Sequence, residues 1–171
     1  EKFMLNVFKS FNVIYPRFHK MDNMSKAGFI AAEILLQKAN PVVDEFKRGL
    51  IFQNSSSSSD TDLRYQQSVF EIASPALFVY TLPNIVMGEI AIRNHFKGEN
   101  TFFISEQFNA TQLVDYTLIL FNEGILTQAI VGYIEVNDQH KDVFFCLIEK
   151  EGIFEFTKNN MYELKKGNLG I

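Results

Sequence analysis

The sequence predicts an α/β fold with a mostly parallel sheet, helices on both faces of the sheet and an antiparallel meander at the end of the chain. Short runs of β-branched and aromatic residues alternate with segments whose apolar residues recur at helical spacing. Two later runs, Thr127 to Val136 and Asp142 to Ile148, are almost continuously apolar, which is typical of strands covered on both faces. Strands interleaved with helices and followed by hairpins are the pattern of an α/β domain with an antiparallel edge.

The first predicted elements are one helix and one strand. The helix runs from about Met24 to Lys38, with Asn23 as its N-cap, and it ends before Asn40-Pro41. Gly49 then opens a short apolar strand at Leu50 to Phe52. A polar run, Ser55 to Ser59, stops that strand.

The five serines of this run are consistent with either a linker or a loop. The segments on both sides are too short to form separate cores, which favours the loop. In that interpretation Asp60 or Thr61 caps a helix from about Asp62 to Ile72.

The middle of the chain carries clear start and stop signals. Ser74-Pro75 begins a short turn or helix through Val79. A longer helix starts at Pro83-Asn84, runs to about Phe96 and stops at Gly98, since proline is tolerated in a first helical turn and glycine is common just after a helix.

A strand and a helix follow. Thr101 to Ser105 is a β-branched and aromatic strand, and Phe108 or Asn109 begins a helix that continues to Asn122 and is closed by Gly124. Apolar residues surround most of that helix, which predicts a buried helix. After the two apolar strands, Gly152 is expected to make a hairpin into Ile153 to Phe156, and Asn159-Asn160 the next turn.

Composition limits the classes of function. The 171 residues fit one domain, residues 1–171, and 47% hydrophobic content with 18 Phe is enough for a sizeable core. The net charge of −4, with both signs dispersed, argues against nucleic acid as a partner. No apolar run reaches the roughly 18 to 20 residues of a membrane span. A single cysteine, Cys146, excludes an internal disulfide and fits a reducing, cytoplasmic location.

Between positions 74 and 135, several residues mark the starts and ends of the predicted elements, and their spacing matches that of a known family. They are Ser74-Pro75, Asn84, Gly88, Gly98, the turn at Gln107, Gly124, Gly132 and Glu135. At these distances the segment resembles the nucleophile half of the β-ketoacyl synthases, which have the thiolase fold. The stretch from His19 to Glu33 also resembles the first helix of that family. The resemblance implies half of a thiolase-like fold, an N-terminal ketoacyl-synthase-like domain.

In that family, the turn after the strand carries a nucleophilic cysteine at the N-terminus of a buried helix. Unpaired N–H groups and the helix dipole lower the pKa of a thiol there. This sequence has Gln107 instead, whose amide is neutral and not nucleophilic. Chain length factors and some loading ketosynthases resemble this sequence in carrying Gln at the same turn. The alternative is a decayed site in which glutamine is merely tolerated.

The sequence departs from the family elsewhere as well. His95 stands where the family commonly has Gly, and Glu99 where it commonly has Pro. The second half of the family's fold, which supplies two histidines for decarboxylation, has no counterpart in these 171 residues. We therefore expect no condensing activity from this chain alone and assign no catalytic residue with certainty.

Candidate site residues are Gln107 at the nucleophile position, with Ser105, Phe108 and Asn84 as substrate-binding residues. Asn84 is also expected to cap its helix or bond to a neighbouring segment. Glu99 and Glu106 form a candidate acid–base pair, although exposed carboxylates are more often only solvated.

The single cysteine and the three histidines are interpreted as structural residues. Cys146 is expected to be an inert core cysteine. The spacings of His19, His95 and His140 indicate neither a metal site nor a catalytic triad. No cofactor is predicted.

Three functions remain open. The first is a non-condensing, ketosynthase-like accessory protein of fatty acid or type II polyketide biosynthesis, of the aryl polyene or flexirubin pigment kind. The second is a Gln107-dependent decarboxylase of malonyl-acyl carrier protein. The third is an acyl-chain binding protein. The resemblance implies as partners an acyl carrier protein with a phosphopantetheine-bound chain, and a second subunit, ketosynthase-like or identical, because the family pairs near the nucleophile turn.

Overall fold

The computed structural model describes residues 2–11, 13–39 and 43–169, and its central feature is a four-stranded mixed sheet. The strands are β1 (Arg48–Asn54), β2 (Asn100–Ile104), β3 (Gln128–Val136) and β4 (Lys141–Glu149). Their order is β2-β1-β3-β4. Strand β1 is parallel to both of its neighbours, whereas β3 and β4 are antiparallel. The prediction of a mostly parallel α/β sheet with an antiparallel edge is confirmed.

Helices precede, separate and follow these strands. They are α1 (Lys2–Ser10), α2 (Asn23–Leu36), α3 (Ser59–Val69), α4 (Pro75–Val79), α5 (Ile85–Asn94), α6 (Ala110–Asn122) and α7 (Lys158–Lys165), with short 3-10 helices at Pro16–Lys20 and Glu45–Lys47. None of the helices in the described residues is long and apolar enough to cross a bilayer.

Helices cover both faces of the sheet because neighbouring strand residues point to opposite sides. Leu50 and Phe52 of β1 belong to a core that includes Val86 of α5 and residues of α2. Ile51, which lies between them in sequence, belongs to a second core with Leu113 of α6 and with α7. The predicted two-sided coverage is therefore confirmed.

Strands β3 and β4 approach each other closely at one glycine. A Cβ atom on Gly132 would lie 1.9 Å from the carbonyl oxygen of Phe144 and 2.8 Å from the ring of Phe145. Such distances are impossible for real atoms, so this position of the hairpin requires glycine.

The N-terminal part of the chain contains more structure than the sequence predicts. We expected the first ordered element at Met24, but α1 and a 3-10 helix precede it. Their aromatic residues form a third apolar cluster: the ring of Phe8 stacks on that of Phe18 at 3.9 Å, and both lie beside Phe29 of α2. Helix α2 ends at Leu36, two residues before the predicted Lys38. Asn40-Pro41, before which the helix was expected to end, lie outside the described residues.

We expected Asn23 to cap helix α2, but the cap is Asp22. The Asp22 carboxylate accepts a hydrogen bond from the Ser25 backbone N–H at 2.8 Å and another from the Thr61 hydroxyl at 2.9 Å. Thr61 does not cap α3, because it lies inside that helix. Helix α3 starts at Ser59, before the predicted Asp62, with Ser58 at its N-cap position.

Helices α4 and α5 lie close to their predicted positions. The side chain of Ser74 caps α4 by accepting a hydrogen bond from the Leu77 N–H at 3.3 Å. Helix α5 runs from Ile85 to Asn94, and its C-cap is His95, whose φ of 58° is left-handed. Gly98 is therefore not the residue that ends the helix. It lies against the carbonyl oxygen of Arg48, 2.7 Å from where a Cβ atom would be.

The C-terminal prediction is wrong. No strand forms at residues 153–156, and Asn159-Asn160 lie inside α7 rather than in a turn. Thr157 caps this helix, since its hydroxyl accepts a hydrogen bond from the Asn160 N–H at 3.2 Å. Met161 is buried in the second core. The sheet therefore ends in the β3–β4 hairpin followed by a helix, not in a longer meander.

Candidate functional site

The turn between β2 and α6 has the form that the sequence predicts. Asn109 is the N-cap of α6, its side chain accepting a hydrogen bond from the Gln112 N–H at 3.1 Å, and Gly124 follows the helix with a φ of +66°. Gln107 and Glu106 are both exposed at the apex of the turn. A negative side chain at a helix N-terminus is favourable, because the helix dipole is positive there.

Three polar side chains, from Gln53, Ser105 and Gln112, hydrogen-bond to one another beneath the turn. The Gln53 amide nitrogen donates to the Ser105 hydroxyl at 3.0 Å and to the Gln112 side-chain oxygen at 2.8 Å, and the Ser105 hydroxyl donates to the same oxygen at 2.9 Å. The Gln53 oxygen accepts the Asn109 N–H at 2.8 Å. Gln53 is completely buried. Ser105 is thus engaged in positioning the turn.

Sequence reasoning missed Gln53 and Gln112. The available signal was a glutamine directly after the apolar run Leu50 to Phe52, since a buried amide needs partners for its donors and its acceptor.

Phe108 anchors the turn on its other side. Its ring makes edge-to-face contacts with Tyr133, Phe144 and Tyr162, at centroid distances of 6.0, 5.8 and 5.4 Å. The ammonium group of Lys165 lies 5.4 Å from the Phe108 ring and 2.5 Å from the Asp142 carboxylate. Cation–π and aromatic contacts of this kind fix the direction in which the turn leaves the sheet.

An open depression of about 530 Å³ lies at the turn. Its lining residues are Ile104, Ser105, Glu106, Gln107, Phe108, Asn109 and Tyr162. Three predicted site residues, Ser105, Gln107 and Phe108, are therefore together. Most of the lining is polar, so the depression can offer hydrogen bonds from amide and hydroxyl groups but little apolar enclosure for a hydrocarbon chain.

Asn84 does not join this group. It precedes α5, which packs on the opposite face of the sheet from α6. Its side chain is exposed and makes no capping hydrogen bond, whereas its backbone oxygen accepts from Met87 and Gly88. The predicted side-chain cap is thus absent, and substrate contact by Asn84 stays a prediction.

The candidate acid–base pair is not assembled. Glu99 precedes β2, where it accepts hydrogen bonds from the hydroxyls of Thr101 and Tyr116 at 2.8 and 3.3 Å, and Glu106 follows the same strand. At the extended rise of about 3.3 Å per residue, the two positions are roughly 20 Å apart. They cannot act on one substrate atom.

Cys146 lies on β4 and is partly buried. Burial raises the pKa of its thiol to about 11, so it is protonated and weakly nucleophilic at neutral pH. Among the described residues, no three His, Cys, Asp or Glu side chains converge in a way that could hold a metal ion.

Glu135, one of the residues that carried the resemblance, closes the end of β3. Its carboxylate accepts hydrogen bonds from the Ser55 hydroxyl at 2.6 Å, from the Ser55 and Ser56 N–H groups at 2.9 and 3.1 Å, and from the Ser56 hydroxyl. Burial by itself would raise the pKa of Glu135, but these donors outweigh it and hold the pKa below its ordinary value. The serine run is therefore a carboxylate-binding loop and not a linker.

No protein-family model matches the chain, and no curated protein matches it either. A chain of the ishigamide ketosynthase/chain length factor is similar in structure, with a TM-score of 0.62 and 22% identity, over 70% of this chain and 36% of that chain. The present chain has the fold of part of a ketosynthase/chain length factor chain.

A second solved structure agrees. It is the ketosynthase ApeO in complex with its chain length factor ApeC from Xenorhabdus doucetiae, with a TM-score of 0.55 and 11% identity, over 72% of this chain and 50% of that chain. The chain thus spans about a third to a half of the length of the structures that it matches. The predicted half of a thiolase-like fold, and with it the resemblance at the level of fold, is confirmed.

Proposed function

We propose that this chain is a non-condensing, ketosynthase-like accessory subunit of the cytoplasm. It would pair with a ketosynthase-type subunit, or with a second copy of itself, and shape or hold a carrier-bound acyl chain in fatty acid or polyketide biosynthesis of the aryl polyene or flexirubin kind. The observation that carries the proposal is a neutral Gln107 at the apex of the turn that follows β2, an edge strand of the sheet in the described part of the chain.

The chemistry of the turn supports a non-condensing role. Acyl transfer needs a nucleophile, and the Gln107 amide cannot act as one. Cys146 does not replace it, because its thiol is protonated at neutral pH and it lies on β4, away from the lining of the depression. A decarboxylase would need preorganised donors around a developing enolate, whereas Gln107 is solvent-exposed.

The edge of the sheet supports a protein partner. The Glu99 carbonyl accepts from the Leu50 N–H and the Ser105 N–H donates to the Asn54 carbonyl, both at 2.9 Å, so the odd-numbered residues bond to β1. By strand alternation, the backbone groups of Asn100, Phe102 and Ile104 face away from β1. Exposed strand edges of this kind readily pair with another chain.

An apolar side chain of α6 extends this surface. Gln112 of α6 contacts Ser105 just after β2, Tyr116 contacts Thr101 of β2, and Ile119 continues the same helical row. Ile119 is 58% exposed. Helix α6 is therefore buried on one side only, which corrects the expectation that it is buried all round. A large, exposed apolar side chain on α6, beside an edge strand of the sheet, favours an interface.

A second apolar surface supports a role in shaping a pocket. Phe70, Phe78 and Leu82, around α3 and α4, are each more than half exposed. Aromatic and aliphatic side chains that project in this way could form part of the wall of an apolar pocket once a partner covers them.

Intact-mass analysis of a malonyl-loaded acyl carrier protein tests this function. The carrier would be incubated with the wild-type chain, with Gln107→Ala, or with Gln139→Ala as a control that alters an exposed glutamine in the β3–β4 hairpin. We expect an unchanged carrier mass in all three, and co-purification of the wild-type chain with a ketosynthase-type subunit. Loss of carbon dioxide that depends on Gln107 would make the chain a decarboxylase and overturn the proposal.

A further inference from the structure

A buried carboxylate lies where three segments of the chain meet. Glu89 of α5 is 3% exposed and accepts hydrogen bonds from the Tyr15 hydroxyl at 2.7 Å and the Tyr80 hydroxyl at 3.3 Å. The guanidinium group of Arg17 lies 3.7 Å from the same carboxylate. A carboxylate is costly to bury, and these donors offset that cost.

The two tyrosines come from separate elements. Tyr15 lies in the N-terminal segment, which we define as residues 2–11 and 13–20, and Tyr80 is the C-cap of α4. Burial and then the hydrogen bond to Glu89 raise the pKa of Tyr15 to about 12. Both factors also raise the pKa of Tyr80. Each hydroxyl is therefore a protonated donor at neutral pH.

Apolar packing connects the same elements. Tyr80 is 6% exposed and belongs to the third apolar cluster with Phe18 and Phe29. The ring of Tyr15 stacks on that of Phe29, with centroids 5.0 Å apart. The N-terminal segment thus contacts the end of α4 through both a polar and an apolar route.

Helix α4 depends on such contacts because it has only five residues. Helices this short are not stable without tertiary support. Phe78 and Val79 of α4 are 60% and 48% exposed. The buried Tyr80, one residue later, is thus a principal attachment of the exposed helix to the core.

We propose that Glu89 is a positioning residue, which fixes α4 through Tyr80 and makes the N-terminal segment necessary for presenting the apolar side chains of α4. This inference rests on the proposed function only for the use of that surface. The geometric claim, that Tyr15 controls the order of α4 through Glu89, stands by itself.

Hydrogen exchange of the α4 amides tests the geometric claim in the chain without a partner. The reporters are the N–H groups of Phe78, Tyr80 and Thr81, which donate to the carbonyls of Ser74, Leu77 and Phe78. Tyr15→Phe removes one hydroxyl more than sixty residues away in sequence and keeps the stacked ring. We expect about a tenfold faster exchange at these amides, in keeping with the strength of a hydrogen bond to a charged group.

Tyr65→Phe is the matched control. The Tyr65 ring contacts the Phe78 ring at 5.3 Å, so this variant also removes a phenol hydroxyl close to α4 but leaves Glu89 unaltered. We expect its α4 amides to exchange within about twofold of the wild-type rate. Unchanged exchange in Tyr15→Phe, or equal effects of the two variants, would overturn the claim.

A second variant separates positioning from general loss of stability. In a Glu89→Gln background, Tyr15→Phe should add less than about twofold to the α4 exchange rate, because two changes that act through one group are not additive. A full tenfold addition would contradict a role for Glu89. The α6 amides should exchange at the wild-type rate in every variant.

Complex formation with a ketosynthase-type subunit then tests the use of the surface. If the wild-type chain binds and Tyr15→Phe binds about tenfold more weakly, the positioning role extends to the partner. If the wild-type chain is a monomer and binds no such subunit, the proposed function fails while the exchange result still stands. Equal binding by wild type and Tyr15→Phe, together with faster α4 exchange, would overturn the link between α4 and the partner.

Discussion

Strands β3 and β2 flank the same central strand and differ in how completely the chain covers them. Every residue of β3 is buried, and β3 pairs on both sides. Residues of β2 are partly or fully exposed, and within the described residues β2 pairs with β1 alone. Even the ends differ, since Glu135 closes β3 through bonds to Ser55 and Ser56, whereas β2 opens into the exposed turn at Gln107. Within the described residues, β3 is therefore an interior strand of the sheet and β2 is one of its two edge strands.

The largest effect should come from the β3 side. Gly132→Ala would force a methyl group into the backbone of β4, so we expect a loss of about 3 kcal/mol or more in the free energy of unfolding. Gly88→Ala is the matched control, because a Cβ atom there meets nothing within 4 Å, and it should be neutral or stabilise by up to about 1 kcal/mol. Urea denaturation measures both, and equal changes would contradict the described packing.

The next effect concerns the bond that closes β3. Glu135→Ala removes a buried carboxylate that accepts several hydrogen bonds from Ser55 and Ser56, so we expect a loss of about 2 to 3 kcal/mol. Ser105→Ala, which alters a hydroxyl beneath the turn instead, should cost only about 1 kcal/mol. A smaller loss in Glu135→Ala than in Ser105→Ala would reverse the comparison.

The same carboxylate predicts a pH dependence. The pKa of Glu135 is lower in the folded chain than its ordinary value of 4.5, so the unfolded chain binds its proton more readily. This contribution to stability is present above pH 4.5 and is lost as the pH falls through the folded pKa. Denaturation midpoints measured between pH 7 and pH 3 should therefore fall less steeply for Glu135→Gln than for the wild type. Parallel curves would contradict the lowered pKa.

On the β2 side, stability should depend on the residues beneath the turn rather than at its apex. Gln53→Ala removes the acceptor of the Asn109 N–H and the donor to Ser105, so we expect a loss of about 1 to 2 kcal/mol. The Gln107 side chain is exposed, so Gln107→Ala should change the free energy of unfolding by less than about 0.5 kcal/mol. A large loss in Gln107→Ala would mean that this glutamine has a structural role.

Periodicity was sufficient for the elements whose burial follows from their own sequence. The four strands were predicted from their apolar runs, and α6 from the cap Asn109 and the closing Gly124. Helix α5 was likewise predicted from start and stop signals in its own sequence. The C-terminal helix was missed because Gly152 and Asn159-Asn160 are turn formers, while the residue that decides for α7, Met161, is buried only through tertiary contacts. The cap of α2 was misplaced because Asp22 and Asn23 are equally good caps locally.

The candidate site was predictable only where its residues are neighbours in the sequence. Ser105, Gln107 and Phe108 lie together because they are neighbours in one turn. Gln53 and Tyr162 reach the same turn from β1 and α7, and no local pattern connects segments so distant. Asn84 was grouped with the turn by the family resemblance, but it lies beyond the opposite face of the sheet.

The central claim is that the edge formed by β2 and α6 is an interface. Light scattering at micromolar concentration tests this claim most directly. We expect the wild-type chain to have twice the chain mass, or to form a one-to-one complex when a ketosynthase-type subunit is added. Ile119→Glu should abolish that association with little change in stability, whereas Thr111→Glu, exposed elsewhere on α6, should preserve it. A monomer that binds no such subunit, or an Ile119→Glu variant that associates normally, would contradict the account.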